Sequence, residues 1–335
     1  MAKTGVLLVN LGTPDSPTIS KVGSYLSQFL NDPRVIDIPW LARKILVNLI
    51  IIPFRVKNST HIYKQVWTEK GSPIMLYGQN VKNLLQKELG NDADVFLAMR
   101  YKKPALTSVL AEMKKKNYSK IIVFPLFPQY ASATTGSVIE EVMRIIGKWW
   151  VIPELRFVNQ YYDHPTFIQA WKEIGSKHNW KEYDHVVFSY HGLPERQVDK
   201  VYDNDLCENH NCETEITEDN KFCYKATCYA TTRLIAESLG MKESDYTVAF
   251  QSRLDKKWLE PFSDKVVIEK AKEGAKKLLM FSPAFTADCL ETIVEIGVEY
   301  QELFVEHGGD KIQMVESLND HPRWVQCIKE IVEER

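Results

Sequence analysis

The sequence has no long apolar run, no surplus of either charge and no glycine-rich phosphate motif. Its longest apolar stretch, ILVNLIIIPF at 45–54, falls well short of the ~20 residues a spanning helix needs, which excludes a transmembrane segment of that kind. The opening MAKTGVLLVNLGTP has no small-residue cleavage site and too short an apolar part for an export signal, so it reads as a first β-strand. Forty-two Lys and Arg stand against 44 Asp and Glu, a net charge of −2, so there is no basic excess to neutralise a phosphate backbone and nucleic acid is not expected as the main partner. Neither G-x-G-x-x-G nor G-x-x-x-x-G-K-[ST] occurs, and the Gly-Thr-Pro and Gly-Leu-Pro turns lack the repeated glycines whose amides cradle phosphates; this argues against a nucleotide cofactor. Without a secretory signal the expected compartment is the reducing cytoplasm, where the six cysteines serve as thiols or metal ligands rather than disulfides.

What is present is an ordinary globular composition, 44% hydrophobic and 26% charged over 335 residues, enough for two domains or two fused halves. Apolar runs recur between segments of helical period: GVLLVNL (5–11), VFLAM (95–99), KIIVFPLF (120–127), HVVFSY (185–190), YTVAF (246–250) and KLLMFSP (277–283). Continuous apolar strands alternating with amphipathic helices predict an α/β fold with buried parallel sheets. The halves echo each other: LVNLGTP at 8–14 matches FSYHGLP at 188–194, and KIIVFPLF matches KLLMFSPAF in the same order. Two similar Rossmann-like lobes, 1–145 and 146–335, are the simplest account. GKWWVIPEL (147–155) has no Gly/Ser character and predicts a packed crossover between them. Open α/β sheets bind ligands at the carboxyl ends of their strands, so the chemistry is expected just after these runs.

His191 ends its strand in SYHGLPER, followed by a turn glycine and a proline that stops further pairing. This places an imidazole at the carboxyl edge, either as a reacting group or as a hydrogen-bonded structural residue. FTADCLETIVEIGVEY (285–300) predicts a helix capped by Thr286 or Asp288, with Glu291, Glu295 and Glu299 recurring every four residues along one face. Like charges at that spacing repel, and a cation would reverse the penalty. Glu299 reads as solvated, whereas Glu291 lies in the first turn, where the helix N-terminus favours a carboxylate. Arg100 and Tyr101 follow the second strand; Gln129, Tyr130, Ser132, Thr134, Thr135 and Gly136 follow the third. Such clusters suit a planar ligand carrying carboxylates, and equally suit ordinary loop hydrogen bonding.

LLVNLGTPDSP (7–17), EKGSPI (69–74), FPQYASATTGS (127–137), SYHGLPER (189–196), FQSR (250–253) with Trp258, FTADCLETIVEI (285–296) and ESLND (316–320) closely resemble the ferrochelatase family, whose members insert Fe²⁺ into a porphyrin. The resemblance runs in unbroken order over almost the whole chain. It implies a two-lobed chelatase-like fold with four-stranded parallel sheets and a porphyrin held in the interlobe cleft. It also implies that His191 is the active-site histidine and Glu291 the catalytic carboxylate, both facing the incoming Fe²⁺, with Glu295 next along the acidic face. Substrate contacts are implied for Leu11, Ser72, Arg100, Tyr101, Tyr130, Ser132 and Trp258. Where animal members place a histidine two residues before the catalytic Glu, this chain has Cys289. Leu11 resembles the protoporphyrin branch, since a Tyr commonly holds that place in the coproporphyrin branch. The reaction expected is therefore conversion of protoporphyrin IX and Fe²⁺ to protohaem by a lyase; the alternatives are a coproporphyrin ferrochelatase, a cobalt chelatase for a sirohydrochlorin-type ring, and a non-catalytic haem or porphyrin carrier.

Two segments stand apart. WLARKILVNLIIIPFRV (40–56) joins an apolar stretch to Arg43, Lys44, Arg55 and, just beyond it, Lys57, and reads either as a pocket lip resting on a membrane surface or as a core helix. DNDLCENHNCETEITEDNKFCYKATC (203–228) spaces Cys207-x4-Cys212-x10-Cys223-x4-Cys228, a metal-site pattern, with His210 as a less favoured substitute ligand. By the resemblance it is an insertion, since many bacterial members keep only a cysteine matching Cys228. Its expected occupant is a [2Fe–2S] cluster, with zinc second and unliganded thiols third. A peripheral membrane contact and a homodimer are open expectations for assembly.

Overall fold

The computed structural model describes residues 4–334. The chain forms two compact units: Met1–Phe127, Ala131–Asn159 and Ile328–Arg335 make the first, Pro128–Tyr130 and Gln160–Cys327 the second. Unit one carries β1 (Thr4–Gly12), β2 (Ala93–Tyr101), β3 (Lys120–Pro125) and β4 (Glu154–Phe157), all parallel, in the order β2-β1-β3-β4. Its helices are α1 (Ile19–Leu30), α2 (Trp40–Ile45), α3 (Ile52–Val66), α4 (Pro73–Leu89), α5 (Leu106–Lys116) and α6 (Ser137–Ile146).

Unit two repeats the plan with β5 (His185–His191), β6 (Tyr246–Gln251), β7 (Lys277–Phe281) and β8 (Lys311–Met314), parallel, in the order β6-β5-β7-β8. Its helices are α7 (Pro165–Gly175), α8 (Glu195–Val198), α9 (Tyr224–Ser238), α10 (Ser263–Lys272) and α11 (Gln301–Glu306); α12 (Pro322–Glu333) begins in this unit.

The central strands are apolar on both faces because both faces are covered. In β1, Leu7 and Val9 pack with Phe96, Ile121 and Val123 against Leu106, Leu110 and Met113 of α5 and Val138 and Val142 of α6. Val6 and Leu8 face the other way and are equally inaccessible, and Leu97 meets Gly78 of α4 on that side. In unit two, Val187, Leu278 and Met280 pack with Val267 of α10 and Phe304 of α11, while Phe188 and Phe281 stack at 4.8 Å with Trp171 of α7 beside them. Each such side chain contributes about 1.5–3 kcal/mol by leaving water. Helix packing thus leaves the strand ends as the polar exits of each sheet. At the end of β1 the backbone passes so close to β2 that Gly12 has φ +121°, with its missing Cβ position 2.0 Å from the Tyr101 carbonyl oxygen; no other residue fits this turn.

Three expectations are corrected. The units do not divide at 145/146: β4 pairs with β3, so the first unit runs through Asn159, and the chain from Ile328 returns to it. Sequence echoes cannot show this, because β4 is a short strand without the apolar run of its partners. The helix expected over 285–300 begins later and is wound as a π-helix at Glu291–Tyr300, and a second π segment, Leu46–Ile51, sits within the apolar stretch. Arg43, expected among the basic groups flanking that stretch, is buried instead and donates to the Ile36 and Ile38 carbonyls.

Candidate active site

His191 is the last residue of β5 and pairs in register with Gln251, the last of β6. Its Nδ1 lies 2.7 Å from the Gly192 carbonyl oxygen. A carbonyl can only accept, so Nδ1 carries the hydrogen and Nε2 presents its lone pair. The imidazole stands between two aromatic rings, Trp258 and Phe285, with centroids 6.5 and 6.4 Å away.

Glu291 opens the π-helix on the same unit, and its half-buried carboxylate accepts from the Cys289 thiol. Burial first, and then the Glu291 charge, push the Cys289 thiol well up, so it stays protonated and acts as donor. It therefore supplies one fixed hydrogen bond rather than a titrating group. Asp288 is not a helix cap; its carboxylate accepts from Thr292 Oγ1, the Ser317 amide and Asn319 Nδ2 and ties this turn to the loop before α12.

Glu295 is placed differently. One carboxylate oxygen accepts from the Ser252 amide at 2.8 Å and the Tyr300 hydroxyl at 2.9 Å; the other accepts from Gln251 Nε2 at 3.0 Å and Ser252 Oγ at 2.5 Å. Four donors saturate the carboxylate and leave no lone pair directed at a metal. Glu291, by contrast, is half-buried with the Cys289 thiol as its donor, and Glu299 is exposed, as expected. Gln251, Ser252 and Phe285 had no assigned role in the sequence reading, although their position just after two apolar runs is a signal for the strand edge.

In unit one the expected residues gather around a carboxylate that sequence reasoning missed. Asp32 is buried and accepts from Arg100 Nη2 (2.6 Å), the Tyr101 hydroxyl (2.8 Å) and Ser137 Oγ (2.6 Å). Arg100 Nε adds a bond to Ser137 Oγ. Burial, then the Asp32 charge, push the Tyr101 phenol far up, so it remains a donor. Tyr101 has no exposed surface, so in this arrangement it supports Asp32 rather than facing a ligand. Ser72 is also buried and accepts from Thr13 at 3.0 Å; Ser132 accepts from Arg34 at 2.9 Å; Leu11 is half-buried at the end of β1. Tyr130 belongs to unit two, edge-on to Phe222 at 5.8 Å.

The insertion brings together three of its four cysteines. Cys207, Cys212 and Cys223 are buried, with sulfurs 3.5–3.7 Å apart. Two thiolates at ~2.3 Å from one tetrahedral metal stand about 3.8 Å apart, so each pair has the spacing a metal imposes. Contacts with Cys207 and Cys223 push the Cys212 thiol down from its ordinary pKa; Asn220 donates to the same sulfur at 3.8 Å, and the Tyr202 hydroxyl lies 3.0 Å from it. Cys228 lies outside it: Cys223 is the residue before α9, and five helical positions turn Cys228 by roughly 140° away, against Tyr224. His210 stacks on the Tyr202 ring at 4.0 Å and pairs with Asp205 rather than joining the sulfurs.

Two parallel four-stranded α/β sheets of this order define a chelatase-like fold. SirB from Bacillus subtilis with Fe³⁺ shares this fold at a TM-score of 0.57 and 13% identity, covering 99% of this chain and 95% of SirB; the sirohydrochlorin chelatase SirB of Bacillus subtilis subspecies spizizenii in complex with cobalt shares it at 0.52 and 12%, covering 97% and 92%. The family model for ferrochelatase matches residues 3–335, and the ferrochelatase of Legionella pneumophila (strain Lens) is 42% identical over 334 residues, 99% of each chain. That of Coxiella burnetii is 42% identical over 330 residues, 97% of this chain and 92% of its own. The chain belongs to the ferrochelatase family, and its activity is that of a lyase acting in haem biosynthesis with Fe²⁺ as substrate.

His191→Ala is expected to reduce metallation by at least ~10³-fold with porphyrin binding largely retained, and Glu291→Gln to fall nearly as far, because each removes proton-accepting capacity and little else. Steady-state metallation and porphyrin fluorescence titration check this; His191→Ala activity within a few-fold of wild type would remove the assignment.

Proposed function

We propose that the chain inserts Fe²⁺ into protoporphyrin IX to give protohaem, with His191 and Glu291 as the reacting groups. Metallation forms the iron–nitrogen bonds and releases two pyrrole protons without any change of oxidation state. The His191 Nε2 lone pair supports a role as first proton acceptor, and Glu291 as the group that passes protons on. The single observation that carries this reading is the His191 imidazole with Nδ1 tied to a backbone carbonyl and Nε2 free, on the unit that also bears Glu291. Glu295, saturated with donors, is proposed as a fixed charge supporting Glu291 rather than as a second acceptor. The aliphatic Leu11 at the end of β1 supports an apolar-edged ring over one with four propionates. An anaerobic assay of purified protein with Fe²⁺ is expected to give a higher kcat/KM for protoporphyrin than for coproporphyrin; a clear preference for coproporphyrin reverses the substrate assignment.

Peripheral contact of a cytoplasmic protein with a membrane is proposed for the segment over 40–54. No helix among the described residues is long and apolar enough to cross a membrane, but Trp40, Leu41, Ile45, Leu49, Ile50 and Phe54 are exposed, Phe54 to 82%. A run of apolar side chains left in water around a π turn supports an interfacial rather than a core role. Replacing Leu49 and Phe54 by Ser is expected to abolish co-flotation with anionic vesicles; unchanged flotation rejects the contact.

For the insertion we propose a [2Fe–2S] cluster on Cys207, Cys212, Cys223 and Cys228. The three convergent buried thiols support a soft metal centre, and the proposal requires the Cys228 thiol to join them. Such a centre supplies folding energy to a polar segment that buries little core of its own. Anaerobically purified protein is expected to contain two iron and two sulfide per chain, both lost in Cys212→Ser and Cys228→Ser. One zinc per chain, retained in Cys228→Ser, moves the assignment to a single-ion site on the trio.

A further inference from the structure

We propose that Gln251 is a positioning residue for the metallation reaction, setting the placement of His191 and Glu291 relative to each other. It rests on the ferrochelatase reading of this site. The backbone register of Gln251 and four hydrogen bonds carry it. The Gln251 backbone pairs in register with His191, and its carbonyl accepts from the Gly192 amide at 2.7 Å, fixing the turn whose own carbonyl orients the His191 ring. Its side-chain nitrogen donates at once to the Glu291 carbonyl oxygen at 3.1 Å and to Glu295 Oε2 at 3.0 Å, gripping the π-helix at its first residue and one turn on. Its side-chain oxygen accepts from Ser189 Oγ at 2.7 Å, two residues before His191 on β5. One side chain of 1% exposure therefore joins the strand that carries the imidazole to the helix that carries the carboxylate.

The neighbouring residue shows that this junction is held tightly. Ser252 has φ +61°, a left-handed conformation unfavourable for a residue with a Cβ, and its amide and hydroxyl are both bound to Glu295. The strain persists because Glu295 overdetermines it. Tyr300 closes the same carboxylate from the far end of the π-helix. In this assembly Gln251 touches no reacting atom; it acts through the Glu291 backbone and the His191–Gly192 turn. A small misplacement of reacting groups costs up to about a hundredfold in rate, and Gln251 is not among the residues expected to contact the ring.

The test is Gln251→Met, which keeps the length and removes every side-chain hydrogen bond, against Val267→Ala, a core change on α10 that removes none of these hydrogen bonds. Kinetics are measured with Fe²⁺ and protoporphyrin, and stability by thermal melting. Gln251→Met is expected to lower kcat at least about tenfold with both KM values within about twofold; Val267→Ala is expected to melt earlier yet keep kcat. Ser189→Ala, which frees the Gln251 amide without disturbing the backbone, is expected to show the same split at smaller size and serves if Gln251→Met does not fold. The inference is overturned if the Gln251 or Ser189 variant keeps wild-type kcat, or if kcat falls only in proportion to melting temperature in all variants. A wild-type protein that inserts no iron instead overturns the reading on which it rests.

Discussion

The constraint on which the structure depends is the complete burial of two central strands. Val6 to Val9 in β1 and Val186 to Tyr190 in β5 have almost no solvent exposure on either face, and a parallel strand in that position must have helices above and below it. Connections are then forced out at the strand ends. The polar groups of the candidate site sit at or against such exits: Arg100 near the end of β2 with Asp32 bonded to it, and His191 and Gln251 at the ends of β5 and β6 with the Glu291 backbone bonded to Gln251. The apolar interior does not take part in the chemistry, but it decides where chemistry is possible.

The carboxylates at those exits, buried at Asp32 and half-buried at Glu295, are handled in the same way in both units. Asp32 and Glu295 each lie among donors that outnumber the charge they carry. Removing one partner of a buried ionic group strands the other, at a cost of several kcal/mol. Each carboxylate therefore acts as a fixed post around which neighbouring side chains are arranged. Arg100, being neutralised internally by Asp32, contributes direction more than charge to its surroundings.

Much of this was legible in the sequence, for definite reasons. The six apolar runs have a length and composition that only buried parallel strands satisfy, so α/β class and the carboxyl-edge location of His191 and Glu291 could be read directly. Asp32 could not, because its partners lie 68 to 105 residues away and nothing local in NDP distinguishes a buried carboxylate from a turn. The same holds for Gln251, whose importance comes from register. The spacing of Glu291, Glu295 and Glu299 puts them on one face and sets Glu299 apart as solvated, but it does not show the four donors that separate Glu295 from Glu291. Spacing in the cysteine segment showed a thiol site but not that a helix begins between Cys223 and Cys228.

The cysteine trio has a consequence for the protein's early history. Three buried thiols within 3.7 Å of one another are each other's nearest target: an oxidant that removes two electrons and two protons from any pair leaves a disulfide in place of two candidate ligands. With a metal at the trio, as proposed, a newly made chain is a race between metal supply and oxidation, and the winner decides which form of the segment persists.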